Sequence, residues 1–160
     1  MKILGIDPGL HTTGYGLIDI DGIKIKLLEA GTIELKQKDS LENRVYKIYQ
    51  NLENLIGEYK PDALVLEKLY THYQYPTTAC LLGHVRGVIC LVAAKYKIKL
   101  AEHSVKRIRK ALVGAGQASK LQTQGMVAHR LKIDRNKLTI DASDALALAL
   151  GYAQLISNKL

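Results

Sequence analysis

The chain has 160 residues, 48% of them hydrophobic and 24% charged, the usage of an ordinary globular protein. That balance excludes a disordered chain, a collagen-like repeat and a small disulfide-stapled scaffold, and the length corresponds to one domain, 1–160, with one core. Lys and Arg total 23 against 15 Asp and Glu, a net charge of +8. Such an excess favours a polyanionic partner through phosphate contacts, although a mildly basic surface is the plainer reading.

Ile3 to Asp7 reads as a short buried strand ending in Asp-Pro-Gly, a strong turn signal. Thr13 to Ile20 is a second strand, Asp21-Gly22 a hairpin dipeptide, and Ile23 to Leu35 a third strand with a kink expected near Gly31. The period then changes. Leu41, Val45, Ile48, Leu52, Leu55, Ile56 and Tyr59 recur at helical spacing, with Asp39 and Glu42 as the expected cap and Pro61 as the stop. Ala63 to Glu67 is an apolar strand, Thr77 to Tyr96 a helix and Ile98 to Ala101 a short strand. Helices follow over Val105 to Val113, Ser119 to Leu131 and from about Asp141 through the apolar run Ala145 to Leu150. The order βββαβαβααα predicts an α/β fold: a mixed five-stranded sheet, an antiparallel meander plus parallel strands, with helices on both faces.

Cys80 and Cys90 show no zinc-ligand spacing, which fits a reduced, intracellular chain with two buried or idle thiols. No run approaches about 18 consecutive apolar residues, and the apolar start at Met1 is too short for a signal peptide. A cytoplasmic location without a membrane partner is expected. The five histidines show no ligand spacing.

Asp7 and Glu67 each end an apolar strand. In an open α/β sheet that edge is where ligands bind, and parallel neighbouring strands set the two carboxylates side by side. Alone, an Asp before Pro-Gly is an ordinary turn residue. Asp141 and Asp144 share one face at the start of a nearly all-apolar helix that must pack on the sheet. Capping is their simpler role. Four carboxylates brought to one point raise one another's pKa unless cations neutralise them. Hard cations such as Mg²⁺ take oxygen ligands together with substrate phosphate oxygens.

Between Lys95 and Lys120 the basic residues Lys95, Lys97, Lys99, Lys106, Arg107, Arg109, Lys110 and Lys120 face a single Glu102. A patch this local looks like a contact surface, although Lys95, Lys97 and Lys99 also alternate like the wet face of a strand. Acids that hold metal beside a patch that holds phosphate have the layout of a nuclease.

Five motifs in order carry a resemblance: Asp7-Pro-Gly9 with Thr13-Gly14-Tyr15-Gly16; Leu64-Val65-Leu66-Glu67 with Tyr70; Leu82-Gly83-His84-Val85-Arg86-Gly87-Val88; Gly116, Ala118, Lys120, Gln122 and Met126-Val127; and Asp141 to Ala147. Over nearly its whole length the chain resembles the RuvC-type Holliday-junction resolvases of the RNase H-like superfamily. The resemblance implies that Asp7, Glu67, Asp141 and Asp144 hold two Mg²⁺ or Mn²⁺ ions. It implies a homodimer that nicks a four-way DNA junction symmetrically, with a branch-migration motor as an accessory partner to consider. By the same similarity Lys106, Arg107, Lys110 and Lys120 face DNA, Lys120 approaches the scissile phosphate, and Tyr70 sits at the junction core.

The chain departs from the family pattern in having no Phe or Trp. Tyr70 therefore stands where a Phe is usual, the stretch from Thr71 to Pro76 differs, and Gln122-Thr123 replaces Gln-Val. The Tyr70, Tyr73 and Tyr75 cluster could equally cover an apolar edge. Arg86 lies in a helix suited to a dimer seam, where it would be structural. A broader nuclease acting on flaps, a junction-binding protein without catalysis and an actin-like nucleotide-binding protein are the competing readings. The last lacks room for a second lobe.

Overall fold

The structure, a computed structural model, describes residues 1–36, 38–68 and 76–157. The chain runs β1 (Lys2–Asp7), β2 (Thr12–Asp21), β3 (Lys24–Glu34), α1 (Leu41–Tyr59), β4 (Ala63–Glu67), α2 (Pro76–Lys95), β5 (Lys99–His103), α3 (Val105–Val113), α4 (Lys120–Leu131) and α5 (Ile140–Ser157). Among the described residues the strands form a five-stranded sheet in the order β3-β2-β1-β4-β5. β1, β2 and β3 pair antiparallel, while β4 runs parallel to both β1 and β5. The expected architecture is the observed one.

Alternation along the strands divides the core in two. Ile3, Ile18, Ala63 and Val65 face α3, α4 and α5, where Ile108, Val127, Leu146 and Leu150 meet them. Leu4, Ile6, Leu17, Leu64 and Leu66 face α1 and α2, packing on Ile48, Leu52, Val85 and Ile89. Each buried Val, Leu or Ile among them contributes about 1.5–3 kcal/mol.

α5 lies unusually close to the sheet because the strands beneath it carry no side chain at the crossing. A Cβ on Gly5 would collide with the Ala145 carbonyl oxygen, and one on Gly14 with the carbonyl oxygen of Asp141. These glycines set the height of α5 and bring its first turn over the ends of β1 and β2.

Four details correct the sequence reading. The N-cap of α1 is Ser40 rather than Asp39, and its side chain makes no capping hydrogen bond. The irregularity in β3 lies at Leu28, skipped where Leu17 pairs with Glu29 and Ile18 with Leu27, and not at Gly31. Gly31 instead gives room to Tyr15, whose hydroxyl oxygen would be 2.7 Å from an added Cβ. Cys80 and Cys90 are free, as expected, and exposed, which sets aside the buried alternative of the two. By length and mean hydropathy, 1.6, α2 reaches the range of a membrane-crossing helix although no apolar run is continuous. In this fold α2 is docked along the sheet by Val85, Arg86, Ile89, Val92 and Ala93.

Candidate active site

The register of β1 on β4 ends in the pair Ile6↔Leu66, so the next residues, Asp7 and Glu67, end neighbouring parallel strands. Both continue the alternation of Ile3, Ala63 and Val65, which points to α5. Asp141 and Asp144 stand in the first turns of that helix. A cleft of about 290 Å³ opens there, lined by Asp7, Glu67, Asp144, Lys120, Arg109 and Thr123 above the apolar floor of Ala147 and Leu148. Asp141 is not among the lining residues, yet its charge is felt by Asp7.

The electrostatics follow from this crowding. Burial, then the charges of Asp144, Glu67 and Asp141, push the Asp7 carboxyl up to about 7, against a smaller opposing pull from Lys120. Glu67 is also raised, first by burial and then by Asp144, while Arg109, Arg86 and Lys120 pull it back. Lys120 Nζ donates to Asp144 Oδ2 at 2.9 Å. That bond raises the ammonium above its ordinary value, so it stays charged. α4 aims it there because Ser119 and Gln122 close a reciprocal capping box that fixes the first helical residue, Lys120.

The basic patch of the sequence divides in space. Lys99 begins β5 at the end of the sheet remote from Glu67, with four residue steps, about 13 Å, to His103 beside it. Lys95 is occupied nearby, donating to Glu53 Oε1 at 2.5 Å and to the Tyr49 hydroxyl at 2.6 Å. A single contact surface from 95 to 120 is therefore not what the fold builds. Lys106, Arg107 and Lys110 are exposed on α3 and do not line the cleft. The cation on α3 that does line it is Arg109, which sequence reasoning counted but did not place in the site. The signal was available: Ile108 and Leu112 are the buried pair of α3, and Val105 with Arg109 form the adjacent i, i+4 row on the cleft side.

Arg86 is not a seam residue on the outer side of α2. It is buried, pointing under the helix toward the ends of β4 and β5. His11, His84 and His129 are exposed, and His103 lies against the Tyr152 ring at 5.6 Å. Tyr70, Tyr73, Tyr75 and the altered loop through position 75 lie outside the described residues.

Among the described residues, no three His, Cys, Asp or Glu side chains are already gathered as a ready ligand set. The donor chemistry nevertheless fits a hard divalent cation: carboxylate oxygens only, converging at one mouth, with a proton on Asp7 near neutrality in place of positive charge. Asp7, Glu67 and Asp144 line that mouth.

A model of the family described as crossover junction endodeoxyribonuclease RuvC matches residues 3–152. The chain belongs to the RuvC family. A crossover junction endodeoxyribonuclease RuvC of Rhodopirellula baltica is 39% identical over 156 residues, covering 98% of this chain and 88% of that protein. One of Alkaliphilus metalliredigens is 38% identical over 153 residues, covering 96% and 93%. The Thermus thermophilus RuvC structure superposes with a TM-score of 0.91 at 24% identity, covering 99% of this chain and 97% of that one. The yeast mitochondrial Holliday junction resolvase Ydc2 follows at 0.70 and 14% identity, covering 97% and 80%. These structural likenesses bear out the expected RNase H-like α/β fold, and the family match bears out the resemblance carried by the five motifs. In a RuvC-family chain the glycines of the Thr13-Gly14-Tyr15-Gly16 motif have a physical reason, since Gly14 lies directly beneath Asp141.

Proposed function

We propose that this chain is a single-domain endonuclease that resolves four-way DNA junctions by paired, symmetric phosphodiester hydrolysis. The observation that carries the reading is the cleft itself, in which Asp7, Glu67 and Asp144 converge with Lys120 and Arg109 in a RuvC-family chain.

Asp7, Glu67, Asp141 and Asp144 are the residues that would hold two Mg²⁺ ions, or Mn²⁺ in their place. Such a pair activates water for attack on phosphorus and stabilises the departing oxygen. The protein's own groups set the stage. Asp7 releases its proton when cations replace it, and the two strand ends fix Asp7 and Glu67 relative to each other. Lys120 leaves Asp144 to reach a phosphate oxygen, and Arg109 adds a planar, permanently charged donor in the same cleft. Lys106, Arg107 and Lys110 on exposed α3 extend the positive surface over the flanking backbone. Tyr70 is assigned to the junction core.

A homodimer matches the approximate two-fold symmetry of a junction. The outer side of α2 supports it: Leu91 is 60% exposed, and nothing approaches within 4 Å of a Cβ placed on Gly83 or Gly87. Work on DNA branches also accounts for a cytoplasmic location and for a branch-migration motor as partner.

The test is nicking of a labelled mobile four-way junction beside linear duplex and flap substrates in Mg²⁺, Mn²⁺ or EDTA. Paired cuts confined to the junction are expected. Equal cutting of flaps would overturn the substrate, and tight binding without cuts would overturn the catalysis.

A further inference from the structure

Glu67 is the last residue of β4, and its side chain and its backbone carbonyl are held by different parts of the molecule. The carboxylate enters the cleft on the α5 side. The carbonyl oxygen accepts a hydrogen bond from Arg86 Nη1 at 2.7 Å, delivered from α2 on the other side of the sheet. The second guanidinium nitrogen, Nη2, donates to the Glu102 carboxylate. Glu102 pairs in register with Leu66, whose side chain packs among the residues on the α2 side. One residue further on, the Lys68 amide donates to the His103 carbonyl oxygen at 2.9 Å and closes β4 against β5.

We propose that Arg86 is a positioning residue for Glu67, anchoring the end of β4 so that the carboxylate is held in working place, with Glu102 holding Arg86 in turn. The inference rests on the nuclease reading above and names the group that fixes one of its ligands.

Energetics favour a geometric role over a stabilising one. Arg86 is only 7% exposed, and burying a guanidinium costs several kcal/mol that its partners at best recover. An apolar side chain of similar volume would dock α2 on the sheet equally well, as Val85, Ile89 and Val92 already do. What an apolar residue cannot do is give the final carbonyl of β4 a directed donor while gripping a second strand. A planar fork with two separate nitrogens serves two acceptors on two strands, and a lysine ammonium does not reproduce that geometry. Displacement of about 1 Å at a reacting centre is enough to cost about 10²-fold in rate, and an unfastened strand end is where such displacement arises. Arg86 does not line the cleft, so its influence reaches the site through Glu67.

The experiment compares wild type, Arg86→Lys and Glu102→Gln. Three quantities are read: Mn²⁺ affinity by electron paramagnetic resonance of the free ion, single-turnover junction cleavage and junction affinity without divalent ions. Arg86→Lys is expected to weaken Mn²⁺ binding and slow cleavage by about tenfold or more, with junction affinity within about twofold of wild type. Glu102→Gln, at a side chain 43% exposed and with an amide oxygen still able to accept from Arg86, is expected to move both in the same direction by about threefold. If Arg86→Lys does not fold, Glu102→Gln decides alone. A lowered melting temperature with wild-type Mn²⁺ affinity and rate would make Arg86 merely structural and overturn the inference. Failure of the wild type itself to bind Mn²⁺ or cut the junction overturns the nuclease reading, and the inference falls with it.

Discussion

α2 and α5 carry nearly the same sequence signature, long and apolar with few charges, and end in opposite environments. Every residue of α5 from Ala145 to Ala153 is buried, covered on one side by the sheet and on the others by α3 and α4. Only 28% of the most apolar stretch of α2 is buried, on the side facing the sheet and α1. Hydropathy thus says that a helix needs cover and not what provides it. For α5 the cover is the chain itself, and the helix can carry Asp141 and Asp144 to the strand ends. For α2 the outer side is left to a second copy under the dimer reading, while its inner side reaches the active site through Arg86.

The largest effect is expected at the α5 crossing. Gly5→Val drives a side chain into the Ala145 carbonyl, and a loss of about 3 kcal/mol or more is expected, since overpacking that cannot relax exceeds the usual range. Urea unfolding should show this loss, or no folded protein at all. Next in size is Lys120→Met, which removes the ammonium from Asp144 and from the phosphate. Single-turnover cleavage should fall by about 10²-fold with junction affinity nearly unchanged.

Third comes pH. Asp7 is raised from 3.8 to about 7 in the ion-free protein, so the folded state keeps a proton that the unfolded chain has released. Its contribution to stability is complete below about pH 4 and lost as pH rises through 7, on the order of 2–4 kcal/mol. Melting temperature without divalent ions should decline across that window, and Asp7→Asn should flatten the decline. The smallest effect concerns the outer side of α2. Leu91→Glu should weaken self-association by about tenfold in sedimentation and leave the melting of the monomer within about 0.5 kcal/mol of wild type.

Strand ends and helix periodicity were legible because they are local. Asp7 and Glu67 end apolar runs of period two, and Asp141 with Asp144 open a helix with no polar face. Their meeting point followed from parallel pairing, which the alternation of strands and helices announces. Arg109 and Arg86 were not placed because their roles depend on helix rotation. Arg109 turns into the cleft while Lys106, Arg107 and Lys110 turn out, a distinction of 100° per residue that charge counting ignores. Lys95 to Lys99 do not join the patch around Lys106 to Lys120, because nearness in sequence hides the length of β5, which carries the chain from one end of the sheet to the other. The bulge at Leu28 has no sequence signal, since it satisfies the register between two strands rather than a local preference.

Under the proposed function, the carboxylates at the ends of β1, β4 and α5 bind divalent ions to cut junction DNA. The most direct measurement is Mn²⁺ binding and junction nicking for wild type beside Asp7→Asn, with junction affinity as the control. Mn²⁺ binding with paired cuts is expected in the wild type, and loss of cutting by about 10³-fold or more in Asp7→Asn while the junction is still bound. Equal nicking by the two proteins, or nicking that persists in EDTA, would contradict it.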